Sequence, residues 1–120
     1  MTITPKEHDE AKVFAEYLTI QLKLGKVIEF TKTAQETFTR SWSQKNKNKA
    51  EGVRSGIPDF VILTPAYLIF VEMKRRKKSL SRVSEGQKVW VNGIENLCGV
   101  CRARICYGAD EAIEFVDELL

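Results

Sequence analysis

Two short runs of β-branched and aromatic residues meet at Pro65-Ala66 and leave this chain few ways to fold. The first is Phe60-Val61-Ile62-Leu63 and the second is Tyr67-Leu68-Ile69-Phe70-Val71. Such runs around a turn signal predict an antiparallel hairpin. Folded symmetrically about Pro65-Ala66, the hairpin sets Asp59 opposite Glu72, with Cβ atoms about 4.5–5.5 Å apart. Lys74 follows Glu72 by two residues and shares its face. The open end therefore carries two carboxylates and an ammonium. Two bare carboxylates at that spacing repel, which drives one of them to protonate. A divalent cation removes the conflict, and oxygen-only ligands suit Mg²⁺ or Mn²⁺. A structural reading would make Asp59 a turn cap and Glu72–Lys74 a surface pair. Both acids interrupt apolar strands, however, where packing has no use for charge.

With 120 residues, 43% of them apolar, the chain is expected to form a single domain over residues 1–120 with one core. No stretch approaches the roughly 20 uninterrupted apolar residues of a membrane helix. No signal-peptide core opens the sequence, so the expected location is the cytoplasm, bacterial or of a phage host. Three cysteines (Cys98, Cys101 and Cys106) leave an odd thiol, which fits a reducing compartment. Zinc is not expected, because a structural site needs four ligands and Cys106 lies on the opposite strand face from Cys101. The net charge is only +3, but basic residues gather in 40–54 and 74–88 while the last helix is acidic. That asymmetry points to one face for a polyanion.

The remaining elements follow from periodicity. Thr4, Pro5 and Glu7 predict a capped helix start, and Ala11, Phe14, Ala15, Leu18 and Leu22 form its apolar stripe, widened by Val13, Tyr17, Ile20 and Leu24. Glu7 is taken up by the capping box, so Glu10 is the acid of this helix expected to reach the hairpin site. Val27–Thr31 is a short strand. The polar stretch 32–56 follows, with Arg40, Lys45, Lys49 and Arg54 as candidate nucleic-acid contacts. Residues 43–51 have the spacing of a short helix, in which Lys45 and Lys49 would repel unless a phosphate relieved them. After Lys74 comes the basic run Arg75-Arg76-Lys77-Lys78, placed to track a phosphate backbone. Ser84-Glu85-Gly86-Gln87 predicts a second capped helix running to about Leu97. Gln87 stands on the inward stripe of that helix, suited either to the cap or to the site. A strand at 100–107 and a helix opened by Gly108-Ala109-Asp110 complete the chain.

The order is helix, strand, hairpin, helix, strand, helix. Together with Gly56-Ile57-Pro58-Asp59, Val71-Glu72-Met73-Lys74 and Ser84-Glu85-Gly86-Gln87, it resembles the VRR-NUC branch of the PD-(D/E)XK nuclease superfamily. The similarity runs from about Glu7 to Leu120 and takes in Gly52-Val53-Arg54-Ser55 and the closing Gly-Ala-Asp-Glu-Ala helix. It implies an α/β restriction-endonuclease-like core in α-β-β-β-α-β order, with a mixed central sheet flanked by helices and a C-terminal helix. The family's motif would make Asp59 and Glu72 metal ligands, with the Met73 carbonyl beside them and Glu10 as the helix-one acid. Lys74 would be the catalytic lysine and Gln87 the helix glutamine. Standalone relatives of this size are often phage or bacterial, and some resemble Holliday junction resolvases that act as homodimers. Two departures stand out. Ala34-Gln35-Glu36-Thr37 replaces the Asn-Gly segment of many relatives, and Gly86 replaces a more helix-favouring residue.

The expected function is therefore Mg²⁺- or Mn²⁺-dependent hydrolysis of DNA phosphodiesters, probing branched, junction-like or duplex substrates as a homodimer. Two other classes compete: a non-catalytic nucleic-acid-binding module using the basic face, and a metal-stabilised interaction protein. Paired acids facing a polyanion argue against pure binding.

Overall fold

A computed structural model describes residues 3–33, 46–47, 49–97 and 99–120. Its elements are α1 (Glu7–Lys23), β1 (Glu29–Lys32), β2 (Phe60–Leu63), β3 (Leu68–Lys74), a 3₁₀ turn (Lys78–Leu80), α2 (Glu85–Glu95), β4 (Cys101–Tyr107) and α3 (Ala109–Asp117). The order matches the one expected. Among the described residues the strands form one mixed sheet in the order β1-β2-β3-β4. β1–β2 and β2–β3 are antiparallel, and β3–β4 is parallel.

The central hairpin has the anticipated register, with Phe60 opposite Val71 and Leu63 opposite Leu68. Thr64 builds its turn: the hydroxyl accepts from the Tyr67 N–H at 2.8 Å and donates to the Tyr67 carbonyl at 3.0 Å. Alternation then splits the sheet into two faces. Phe60, Ile62, Ile69, Val71, Met73 and Cys106 point into the main core, where Ala11, Phe14 and Leu18 of α1 and Ala112, Phe115 and Val116 of α3 meet them. Phe14 packs edge-on to Phe60, ring centroids 5.0 Å apart. The Tyr17 hydroxyl donates to Asp117, tying α1 to α3. On the other face a smaller cluster joins Val91 and Ile94 of α2 to Ala103, Phe70, Cys101 and Ile105. Cys106 is a packing thiol, pushed up to about 12 by burial.

Several sequence expectations need correction. α1 begins at Glu7, not after Thr4, and its first turn is closed by the Asp9 carboxylate accepting from the Lys6 N–H at 3.4 Å. Val13, Ile20 and Leu24 do not widen its buried stripe. They stay 47%, 54% and 62% exposed, because the sheet and α3 cover the Phe14 side alone. β1 begins at Glu29, although Val27 is buried ahead of it. α2 ends at Glu95. At α3, Phe115 is buried with Ala112 and Val116, while Leu120 beyond its end is exposed.

Each margin of the sheet carries a carboxylate on an outward amide. Glu29 Oε1 accepts from the Phe30 N–H at 2.9 Å on β1, and Glu95 Oε2 accepts from the Ala103 N–H at 2.7 Å on β4.

Candidate active site

The hairpin's open end gathers acids as its symmetry requires. Carboxylate oxygens of Glu7, Asp59 and Glu72 all lie within 4.8 Å of one another. Asp59 is held at the mouth of β2 from two sides. Its main-chain carbonyl accepts from the Thr33 N–H at 2.6 Å, and its Oδ2 accepts from the Met73 N–H at 3.0 Å. In a strand the N–H and C=O of one residue point to the same side. The Met73 carbonyl therefore also faces the Asp59 side, beyond the last β2–β3 pair, while the Met73 side chain is buried in the main core.

Glu72 is only 2% exposed. Burial raises its pKa most, the neighbouring Asp59 charge and hydrogen bond add to that, and Lys74 partly offsets them; the carboxyl is pushed up to about 8. Gln87 Nε2 donates to Glu72 Oε2 at 3.1 Å. The same glutamine caps α2: its Oε1 accepts from the Ser84 N–H at 3.0 Å, and Ser84 Oγ accepts from the Gln87 N–H at 3.2 Å. Cap and site were alternatives in the sequence, and one side chain performs both. Lys74 Nζ sits 3.7 Å from Glu72 Oε2 and donates to the Arg82 carbonyl at 2.9 Å.

Glu10 is not among these acids. Its carboxylate takes both arms of Arg76, Oε2 from Nε and Oε1 from Nη2, each at 2.8 Å. The Arg76 hydrogen bonds hold its pKa below the usual carboxylate range. Gly108 permits this junction, because a Cβ there would lie 2.9 Å from Arg76 Cβ and 3.0 Å from Glu10 Oε2. Glu7 takes the place given to Glu10, and the reason is the later helix start. With Asp9 making the cap, Glu7 opens α1 next to Asp59 and Glu72.

The basic run is likewise redistributed. Arg75 donates to the Pro5 and Thr4 carbonyls at 3.0 and 2.9 Å, so it clamps the N-terminal segment. Arg76 is engaged by Glu10 although its side chain stays 47% exposed, so both arginines have protein partners. Lys77, Lys49 and Arg54 are exposed, and residues 46–47 and 49–50 are helical. Arg40 and Lys45 lie outside the described residues.

The cluster suits a hard divalent cation. It offers carboxylate oxygens alone, the donor set such an ion prefers, and a cation there would offset the burial and the Asp59 charge that push the Glu72 carboxyl up. No helix among the described residues is long and apolar enough to cross a membrane.

Comparison with known proteins agrees with this architecture. No curated protein matches the sequence. A solved structure of a VRR_NUC domain protein shares the fold, with a TM-score of 0.70 at 20% identity over 98% of this chain and 89% of the other. The family model of the VRR-NUC domain matches residues 3–110. By that match this chain belongs to the VRR-NUC domain family, which is of nuclease type.

Proposed function

We propose that the protein is a divalent-metal-dependent endonuclease that hydrolyses DNA phosphodiester bonds, favouring branched or junction-like duplexes and acting as a homodimer. The observation that carries the reading is the meeting of Glu7, Asp59 and Glu72 beside the buried ammonium of Lys74. Glu7, Asp59 and Glu72, with the Met73 carbonyl, would hold Mg²⁺ or Mn²⁺. When bound, such a cation polarises a phosphoryl oxygen and makes water a better nucleophile.

The chain's own groups do the rest. In hydrolysis water adds to phosphorus, one P–O ester bond breaks, and the leaving sugar oxygen takes a proton. Negative charge grows on the non-bridging oxygens as this happens. Lys74, fixed by a carbonyl and a carboxylate, presents a preorganised positive charge to them. Gln87 holds the Glu72 carboxylate in one orientation. Lys49 and Arg54 on the approach to β2 supply sequence-independent attraction to the backbone.

The test is single-turnover cleavage of a panel of branched and linear DNAs in Mg²⁺ and Mn²⁺, beside binding in Ca²⁺. Lys74→Ala should retain binding and lose about 10²–10³ in rate. Asp59→Asn should lose both Mn²⁺ binding and cutting. A Lys74→Ala chain cutting at the wild-type rate would overturn the catalytic role. Binding without cutting by the wild type would favour the binding-module reading.

A further inference from the structure

The loop between β3 and α2 folds back on the strand it leaves. Ser81 Oγ accepts from the Arg75 N–H at 3.0 Å, and the Lys77 and Lys78 carbonyls accept from the Leu80 and Ser81 amides at 3.0 and 3.1 Å. The return brings the Arg82 carbonyl to Lys74 Nζ. A carbonyl and a side chain leave the same Cα, so the Arg82 guanidinium is rooted within one residue of the lysine ammonium. The other arginines of this segment are engaged: Arg75 on Thr4 and Pro5, Arg76 on Glu10. Lys78 lies over the Tyr107 ring, 5.0 Å from its centroid. The Arg82 side chain is exposed, and among the described residues its guanidinium makes no hydrogen bond, ion pair or ring contact.

An always-charged planar fork of donors, unpaired at the rim of a phosphodiester site, matches a phosphate in both charge and shape. Resting on the nuclease reading above, we infer that Arg82 grips a backbone phosphate next to the one being cut, while its carbonyl holds Lys74. The polyanion contact expected of Arg75 and Arg76 thus passes to a residue that periodicity had left unremarked. Binding and catalysis share one residue but use different atoms of it. The side chain can be removed without releasing the lysine.

The experiment compares wild type, Arg82→Ala and Arg82→Lys, each checked for an unchanged thermal melt. Affinity for a branched DNA is titrated in Ca²⁺ across a salt series, and single-turnover rates are taken at saturating DNA in Mn²⁺. Arg82→Ala should weaken binding and make the slope of log affinity against log salt shallower by about 0.9, the worth of one phosphate on duplex DNA. Its rate at saturation should fall far less than that of Lys74→Ala. Arg82→Lys should recover the slope but only part of the affinity, since the fork is lost. An unchanged slope with affinity within twofold of wild type overturns the inference and leaves the nuclease reading standing. A wild type that binds but cuts nothing defeats the nuclease reading, while the Ca²⁺ slope still decides whether Arg82 holds phosphate. A wild type that binds no DNA defeats both.

Discussion

Glu72 makes the metal-free protein sensitive to pH in a direction that can be fixed in advance. Its carboxyl titrates near 8 in the fold against an ordinary value near 4.5, chiefly because it is buried. Between those values the folded chain keeps a proton that the unfolded chain has lost, so stability falls as pH rises through the window. In chelator, the unfolding free energy from urea denaturation should decline across it by more than about 1 kcal/mol in all. Glu72→Gln should flatten the profile, and a wild-type profile already flat would mean that the carboxyl ionises freely. Added Mn²⁺ replaces the proton, so its affinity should climb over the same range. At this scale sequence reasoning placed Asp59, Glu72, Lys74 and Gln87 together, since strand alternation and a helix cap are local rules. It chose Glu10 over Glu7 because it set the cap at Thr4; the helix starts at Glu7 instead, with Asp9 closing the first turn and Arg75 holding the Thr4 and Pro5 carbonyls. The Asp9 cap is a local signal, whereas the hold of Arg75 on Pro5 spans 70 residues and no local pattern carries it.

Between elements, the tightest approach is glycine on glycine. Gly56 has φ +103°, and a Cβ there would lie 2.4 Å from the Gly86 carbonyl carbon; a Cβ on Gly86 would lie 3.1 Å from the Ser55 carbonyl oxygen. The loop entering β2 thus lies directly on the first turn of α2, the turn that carries Gln87. This explains Gly86, which looked like a poor choice for a helix. Gly93 differs, since it is inside α2 with nothing within 4 Å of its Cβ position. Gly56→Ala should destabilise by about 1–3 kcal/mol from backbone strain alone, with the clash added. Gly93→Ala should stabilise by roughly 0.5–1 kcal/mol. Urea denaturation of the two variants checks both, and equal effects would refute the contact. The hairpin, the element order and the α2 cap were legible because each is written in adjacent residues. The exposed Val13, Ile20 and Leu24 were not, since a helix's periodicity does not say how many neighbours will cover it.

For the molecule as a whole, the sheet's end is a junction where α1, β3 and α3 are locked by two arginines. Arg76 reaches Glu10 beside Gly108, and Arg75 holds the segment leading into Glu7. Arg75→Ala should therefore loosen the entry to α1 and weaken Mn²⁺ binding. The loss should be smaller than the roughly 10–100-fold that removing a direct outer-shell partner costs. Its salt slope on DNA should stay at the wild-type value, the opposite pattern to Arg82→Ala. Isothermal titration with Mn²⁺ and the same Ca²⁺ salt series separate the two, and a shallower slope for Arg75→Ala would return it to the phosphate surface.

The carboxylates on the Phe30 and Ala103 amides bear on how copies of this chain can meet. An arriving strand would find a central donor occupied at either margin, with a negative charge set against its own carbonyls. Among the described residues, both sheet edges are therefore poorer docking strips than helix and loop surface, and edge-to-edge pairing of copies is disfavoured.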